Sequence, residues 1–198
     1  MLDHVFTDAI GALRDALESA LLERQALEER FQTDVLLGDV TWETIYGLPG
    51  EGHPPRVQVD LTLEWPTWAQ TAYRTWFLDE EFTEGPVIEI EVVFRIQRLS
   101  KVPDPAVIME GLPHQSPQIG DETLAGLGPT VATVYDSDLN IVSHAVEIAY
   151  SGAYELDEKT LEDGSALDND FSSIGGWITA TLVKLGDLPL DFEPAQES

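Results

Sequence analysis

Residues 136–147, DSDLNIVSHAVE, have the residue types and spacing of a chemical site. Asp136, Asp138 and Asn140 occupy alternate positions and Glu147 closes the stretch at the twelfth, the oxygen-ligand spacing of a calcium-binding helix–loop–helix. Such a loop also needs glycine at its sixth position to bend sharply, and that residue here is Ile141. VATVYD runs into the stretch and IVSHAVEIAYSGAYEL runs out of it, with Val142, His144, Val146, Ile148 and Tyr150 on one face and Ser143, Ala145, Glu147 and Ala149 on the other. Alternation of this kind marks a strand, so DSDLN reads as a hairpin turn, where Asp, Ser and Asn bond their own backbone. A strand cannot return Glu147 to an ion held by Asp136. The expectation is a hairpin without calcium.

The other chemistry-bearing residues assemble no better. His4, His53, His114 and His144 are scattered along the chain. His144 precedes Glu147 by three residues, but on a strand the two face opposite sides. Asp163, Asp168 and Asp170, in DEKTLEDGSALDND, have the character of a loose cation site but read more simply as a solvated acidic loop. GLPGEG and GLGPT lack the Lys-Ser/Thr of a phosphate loop, and no nucleophile elbow occurs. With no cysteine there is no disulfide, thiolate nucleophile or Cys-held metal. No catalytic, cofactor-binding or metal-ligating residue is singled out, and no cofactor is expected. The chain reads as something other than an enzyme.

The elements that would position any site begin with a helix. From Asp3 to Phe31, apolar residues including Ile10, Leu13, Leu17, Leu21 and Phe31 recur at three- and four-residue spacing, predicting a helix about 42 Å long. DVTWETIYGL reads as a strand and LPGEGHPP as a loop. RVQVDLTLEW and VIEIEVVFRIQRL alternate cleanly, with one face buried and one wet, as in an antiparallel sheet. Residues 66–79, PTWAQTAYRTWFLD, suit a helix opening at Pro66 with Trp68, Ala72 and Trp76 on one side, or else a strand. Residues 102–130 are rich in Pro and Gly, with a short helix at Pro105–Gly111, and read as an arm that docks on a neighbour. GGWITATLVKL, within 172–186, alternates and is rich in β-branched residues, so it reads as a strand; a helix opening at Ser172 or Ser173 is the alternative, disfavoured by two adjacent glycines. Residues 187–198 read as a mobile acidic tail.

Charge is the strongest compositional statement. Against 37 acids stand 10 bases, giving a net charge of −27. That argues against direct nucleic-acid binding, which needs a basic footprint, and against anionic membrane surfaces. Either the protein meets a basic partner or it lives in salt that screens its own repulsion. At molar salt the Debye length is only ~3 Å. The scarcity of lysine and the even spread of acids favour a halophilic source. The N-terminus lacks the basic stretch of a signal peptide and no apolar run approaches the ~20 residues that span a bilayer, so the chain is expected to be soluble and to stay where it is made.

The expected architecture is one α+β domain over residues 1–198: a long N-terminal helix on a mainly antiparallel sheet of about six strands, with one or two short helices. The order of elements resembles that of tail-terminator and neck proteins, the head–tail connectors of tailed viruses. It comprises the helix in LDHVFTDAIGALRDALESALLERQ, the loop and strand in LPGEGHPPRVQVDLTLEW and the long strand IEIEVVFRIQRL. The resemblance covers about the first 110 residues and carries over no functional residue. It implies a ring-forming structural subunit, a homo-oligomer with protein partners, located in the virion after assembly in the host cytoplasm. The alternative is a cytoplasmic monomer that covers a basic partner, such as an immunity protein, antitoxin or secretion chaperone.

Overall fold

The computed structural model describes residues 3–22, 25–50, 54–78, 80, 84–110, 112, 114–136, 141–162 and 164–194. Helix α1 (His4–Leu21) buries Val5, Phe6, Ala9, Leu13, Leu17 and Leu21, the apolar stripe that the periodicity marks out. It ends a full turn or more before Phe31. Gln25, with φ of 54°, redirects the chain, and Leu27–Leu36 forms strand β1, antiparallel to β2 (Asp39–Gly47). The helix-prone composition of LEERF is thus overridden by backbone pairing with β2, and the helix is shorter than expected.

Strand β3 (Val57–Trp65) and the 13-residue strand β4 (Val87–Leu99) follow the alternation of their sequences. Between them lies α2 (Thr67–Phe77), which resolves 66–79 as helix. Its buried side is Ala69 and Gln70, with Tyr73 against Trp65, and Trp68 is exposed. Much of the 102–130 segment pairs within its own sheet. Beyond the short helix α3 (Pro105–Met109), β5 (Gln115–Ile119) and β6 (Glu122–Gly126) form a hairpin that pairs with the body of the sheet and buries Ile119 and Leu124. Then β7 (Thr130–Asp136) and the 15-residue strand β8 (Ile141–Glu155) form the expected second hairpin.

The chain closes with α4 (Glu158–Glu162) and α5 (Ser165–Gly186). Residues 172–186, where strand was the preferred reading and helix the alternative, are therefore helix, and most of the expected acidic loop is helical. Leu167, Phe171, Ile174, Ile178, Leu182 and Leu185 recur at helical spacing and face inward, while the β-branched alternation of GGWITATLVKL runs across that stripe. The described part of the tail, 187–194, is held as well. Phe192 bridges to Leu99, the Ser100 N–H donates to the Asp191 carbonyl at 3.0 Å, and Lys101 pairs with Asp191.

The sheet has eight strands rather than about six, in the order β1-β2-β3-β4-β8-β6-β5, with β7 pairing the first half of β8. Every strand pair is antiparallel. One face carries Trp42, Tyr46, Val59, Leu61, Leu63, Val92, Phe94, Ile148 and Tyr150, all buried beneath α1 and α5. Burying each large apolar side chain stabilises the fold by roughly 1.5–3 kcal/mol. Rings lock the layers: Phe6 stacks on Trp65 at 6.0 Å, and Trp177 meets Phe94 and Tyr150 edge-on at 5.8 and 4.9 Å. Among the described residues, the helices that make extensive contacts with the sheet lie on that one face, and the opposite face bears half-exposed Thr62 and Glu64 and exposed Glu91.

Candidate interaction surfaces

The residues that the sequence brings forward are spread apart by the fold. The Asp136 backbone pairs with Ile141 across the β7–β8 hairpin, while Asp138 and Asn140 lie outside the described residues. Glu147 sits six residues up β8, roughly 20 Å along the strand, and pairs with Arg95 at 3.1 Å. His4 and Asp8 lie one turn apart on the outer face of α1, both exposed. The exposed His114 accepts from the Gly126 N–H through its backbone carbonyl, and His144 Nδ1 lies 3.2 Å from Thr133 Oγ1. His53 and Asp163 fall outside the described residues. Asp168 is exposed in the first turn of α5. Asp170 has a structural role: it accepts from the Gly120 N–H at 2.9 Å and from the Tyr154 hydroxyl at 3.0 Å, fastening the β5–β6 hairpin to α5 and β8. Among the described residues no three His, Asp or Glu side chains converge as metal ligands.

The open face of the sheet is the first surface of note. Because side chains alternate, the partners of the buried row come out together: Glu43, Thr62, Glu91 and Ser151 form one cross-strand row, and Thr41, Glu64, Glu89 and Ala153 the next. Glu64 and Glu89 stand directly opposite each other, an arrangement that destabilises a sheet. Partial burial, then the Glu89 charge, then that of Asp39 raise the Glu64 carboxyl above the usual carboxylate range. A recess of about 240 Å³ lies here, lined by Thr62, Glu64, Glu89, Glu91 and Ser151. On this face Arg95 bonds both Asp60, at 3.3 Å, and Glu147. The surface therefore offers carboxylates to whatever approaches it.

Two apolar surfaces lie at diagonally opposite corners of the sheet. The first is the β1–β2 turn. Leu37 and Gly38 both have positive φ, at 54° and 101°, the two-residue pattern that favours Asn-Gly. Leu37 is nevertheless leucine and 95% exposed, beside exposed Val35 and Leu36. The corner is rigid. Gln70 Nε2 donates to the Gly38 carbonyl at 2.7 Å, and Asp39 accepts from the Thr67 N–H and hydroxyl at 2.6 and 2.8 Å. Those two bonds hold the Asp39 carboxyl below its ordinary range. Trp68, half exposed, borders the same corner on α2. The second surface is the β7–β8 hairpin, which runs past the Leu99 end of β4 with Val134, Tyr135 and Val142 exposed.

A third feature is an open groove of about 580 Å³ between α1 and α5, lined by small residues and by Asp8, Asp15 and Asp168. Val35–Leu37 was not among the residues that the sequence brings forward, and Val142 was brought forward only as a strand residue. VLLG carries no signal in sequence that sets it apart, and its two positive φ values come from the structure. The uncharged run through LGPTVATVY was legible, but nothing in it says which strands will lack a neighbour.

No family model, curated protein or solved structure matches the chain. Among the described residues no helix is long and apolar enough to cross a membrane.

Proposed function

We propose that this chain is a non-enzymatic assembly subunit that joins copies of itself into a ring-like oligomer. The element order further suggests a tail-terminator or neck component in the virion of a tailed virus from a halophilic host, assembled in the host cytoplasm. The observation that carries the assembly reading is the pair of exposed apolar corners, Val35–Leu37 and Val134–Tyr135 with Val142, on a body with net charge −27. Apolar groups of that size left in water at two ends of one sheet favour association, and a lone globule gives no reason for them. Protein partners, self and neighbouring subunits, follow from this reading; direct nucleic-acid binding does not, given the charge.

A second reading has its own observation. The open sheet face, with Glu43, Glu64, Glu89 and Glu91 presented together, suits a cytoplasmic monomer that covers a basic partner. Native mass in about 0.1 M and about 2 M KCl separates the two, since salt at the higher level screens acidic surfaces from one another. A closed multimer in high salt supports the assembly subunit. A monomer at both salts, binding a polylysine peptide at low salt, supports the alternative and overturns the first.

A further inference from the structure

We propose that the β7–β8 hairpin is a docking arm that seats on the Val35–Leu37 corner of the next copy of this chain; the proposal rests on the assembly reading above. Within the body of the sheet, the strands bury every second side chain. In β7, Thr130, Ala132, Thr133, Val134 and Tyr135 are all exposed, whichever way they point, and Val142 opposite Tyr135 is exposed too. Of the described side chains of β7 only Val131, opposite the buried Val146, packs against the core, and a two-stranded ribbon with so little of β7 covered is only marginally stable in water. Its outer edge pairs with no other described strand, and neither does that of β1.

The charge pattern selects the occupant. From Thr130 to Tyr135 and from Ile141 to Val146 no residue is Asp, Glu, Lys or Arg, in a chain that carries 37 acids. A basic partner would be met by carboxylates, which this protein has in abundance elsewhere. Although the turn brings Asp136 and Asp138, these two strand stretches themselves carry no like charge to a contact and suit a partner that is itself acidic. A second copy of this chain is such a partner. The receiving corner is matched in kind: Val35, Leu36, Leu37 and Gly38 are uncharged.

Leu37 supplies the independent mark. Left-handed backbone is unfavourable for an ordinary L-residue such as Leu37, and a polar Asn would suit the turn better. The isolated chain gains nothing visible from leucine there, since the side chain is almost wholly in water. A neighbour's apolar hairpin gives it a contact. Arm and corner also lie at opposite ends and opposite edges of the sheet, so the contact is head-to-tail, repeats from copy to copy and closes a ring when the rotation allows.

The test uses two variants of the full chain in about 2 M KCl, where acidic surfaces are screened. Val134→Asp/Tyr135→Thr disables the arm. Leu37→Asn disables the corner while giving the turn its preferred residue, so its fold is at least as stable. Light scattering should show wild type as a multimer and each variant alone as a monomer with unchanged circular dichroism. An equimolar mixture of the two variants should give one-to-one heterodimers and nothing larger, because only one productive contact remains. Variants that keep the wild-type mass, or a mixture that stays monomeric, overturn the docking arm and leave the assembly reading standing. A monomeric wild type overturns both.

Discussion

A methyl group on Gly175 would sit 2.7 Å from the Cβ of Ala16, so α1 and α5 meet there with no side chain between them. The adjacent Gly176 faces open space. The same dipeptide that argues against a helix in sequence is split by the fold into one glycine that packing requires and one that it does not.

Opposite outcomes follow at the two positions. Gly175→Ala gains about 1 kcal/mol of helix propensity but forces the helices apart, and overpacking of this kind costs about 1–3 kcal/mol, for a net loss of up to about 2 kcal/mol. Gly176→Ala should stabilise by about 0.5–1 kcal/mol through the unfolded chain alone. Urea unfolding in high salt measures both. Equal effects would contradict the helix contact.

The β5–β6 hairpin is core, because Ile119 and Leu124 are buried and Leu124 lies over Gly152. Replacing residues 112–128 by a short Gly/Ser linker should therefore abolish cooperative unfolding. Asp170→Ala removes one carboxylate that holds both the Gly120 N–H and the Tyr154 hydroxyl, and should cost about 1–3 kcal/mol. Hydrogen exchange should then quicken first at 115–126.

Glu64 faces Glu89 across the strands, and its carboxyl is raised above the ordinary value by burial first and by Glu89 next. The folded state thus holds this proton more tightly than the unfolded chain. Stability is lost as pH rises from the unfolded value through the folded one, and is regained on acidification. Glu64→Gln removes that dependence. It should match wild type near pH 4, exceed it at pH 7 by about 0.2–1 kcal/mol at low salt, and lose its advantage in about 2 M KCl. The wild-type melting temperature itself should climb from about 0.1 M to about 2 M KCl as repulsion among the acids is screened.

Burial, then Glu28 and Glu18, pushes the Tyr46 hydroxyl up to about 12. The unfolded chain ionises first as pH rises past ~10, so wild type should lose stability between there and about 12. Tyr46→Phe should flatten that alkaline limb in a denaturant series. An unchanged limb would mean that other groups govern it.

The strands were legible where one face is buried and the other wet, as in β3, β4 and β8, because alternation records that asymmetry directly. Three kinds of element escaped. The start of β1 looks helical because Leu, Glu and Arg carry strong helix propensity, and only pairing with β2 overrides it. The α5 helix hides behind β-branched residues and two glycines, although its Ile174, Ile178, Leu182 stripe was there to be counted. The β5–β6 hairpin hides among Pro and Gly, since short strands with two or three buried residues leave too little period to see. The interaction surfaces were the least legible. They depend on which strand edges end without a neighbour, a property of topology that no local window contains.

The pairing of β4 with β8 also governs how the chain is made. Val87 waits for Glu155, and Ile96 for Val146, so the central strand of the sheet leaves the ribosome long before its partner does. During that interval β1 to β4 can form a meander with its apolar face uncovered on one side and its last edge open. Such an edge is a template for pairing with other nascent chains. The alternating glutamates of β4, Glu89 and Glu91, stand along that edge, and the like charges of two such strands brought together would repel. The acidity that loads the finished sheet with repulsion thus guards the half-made one against its own copies.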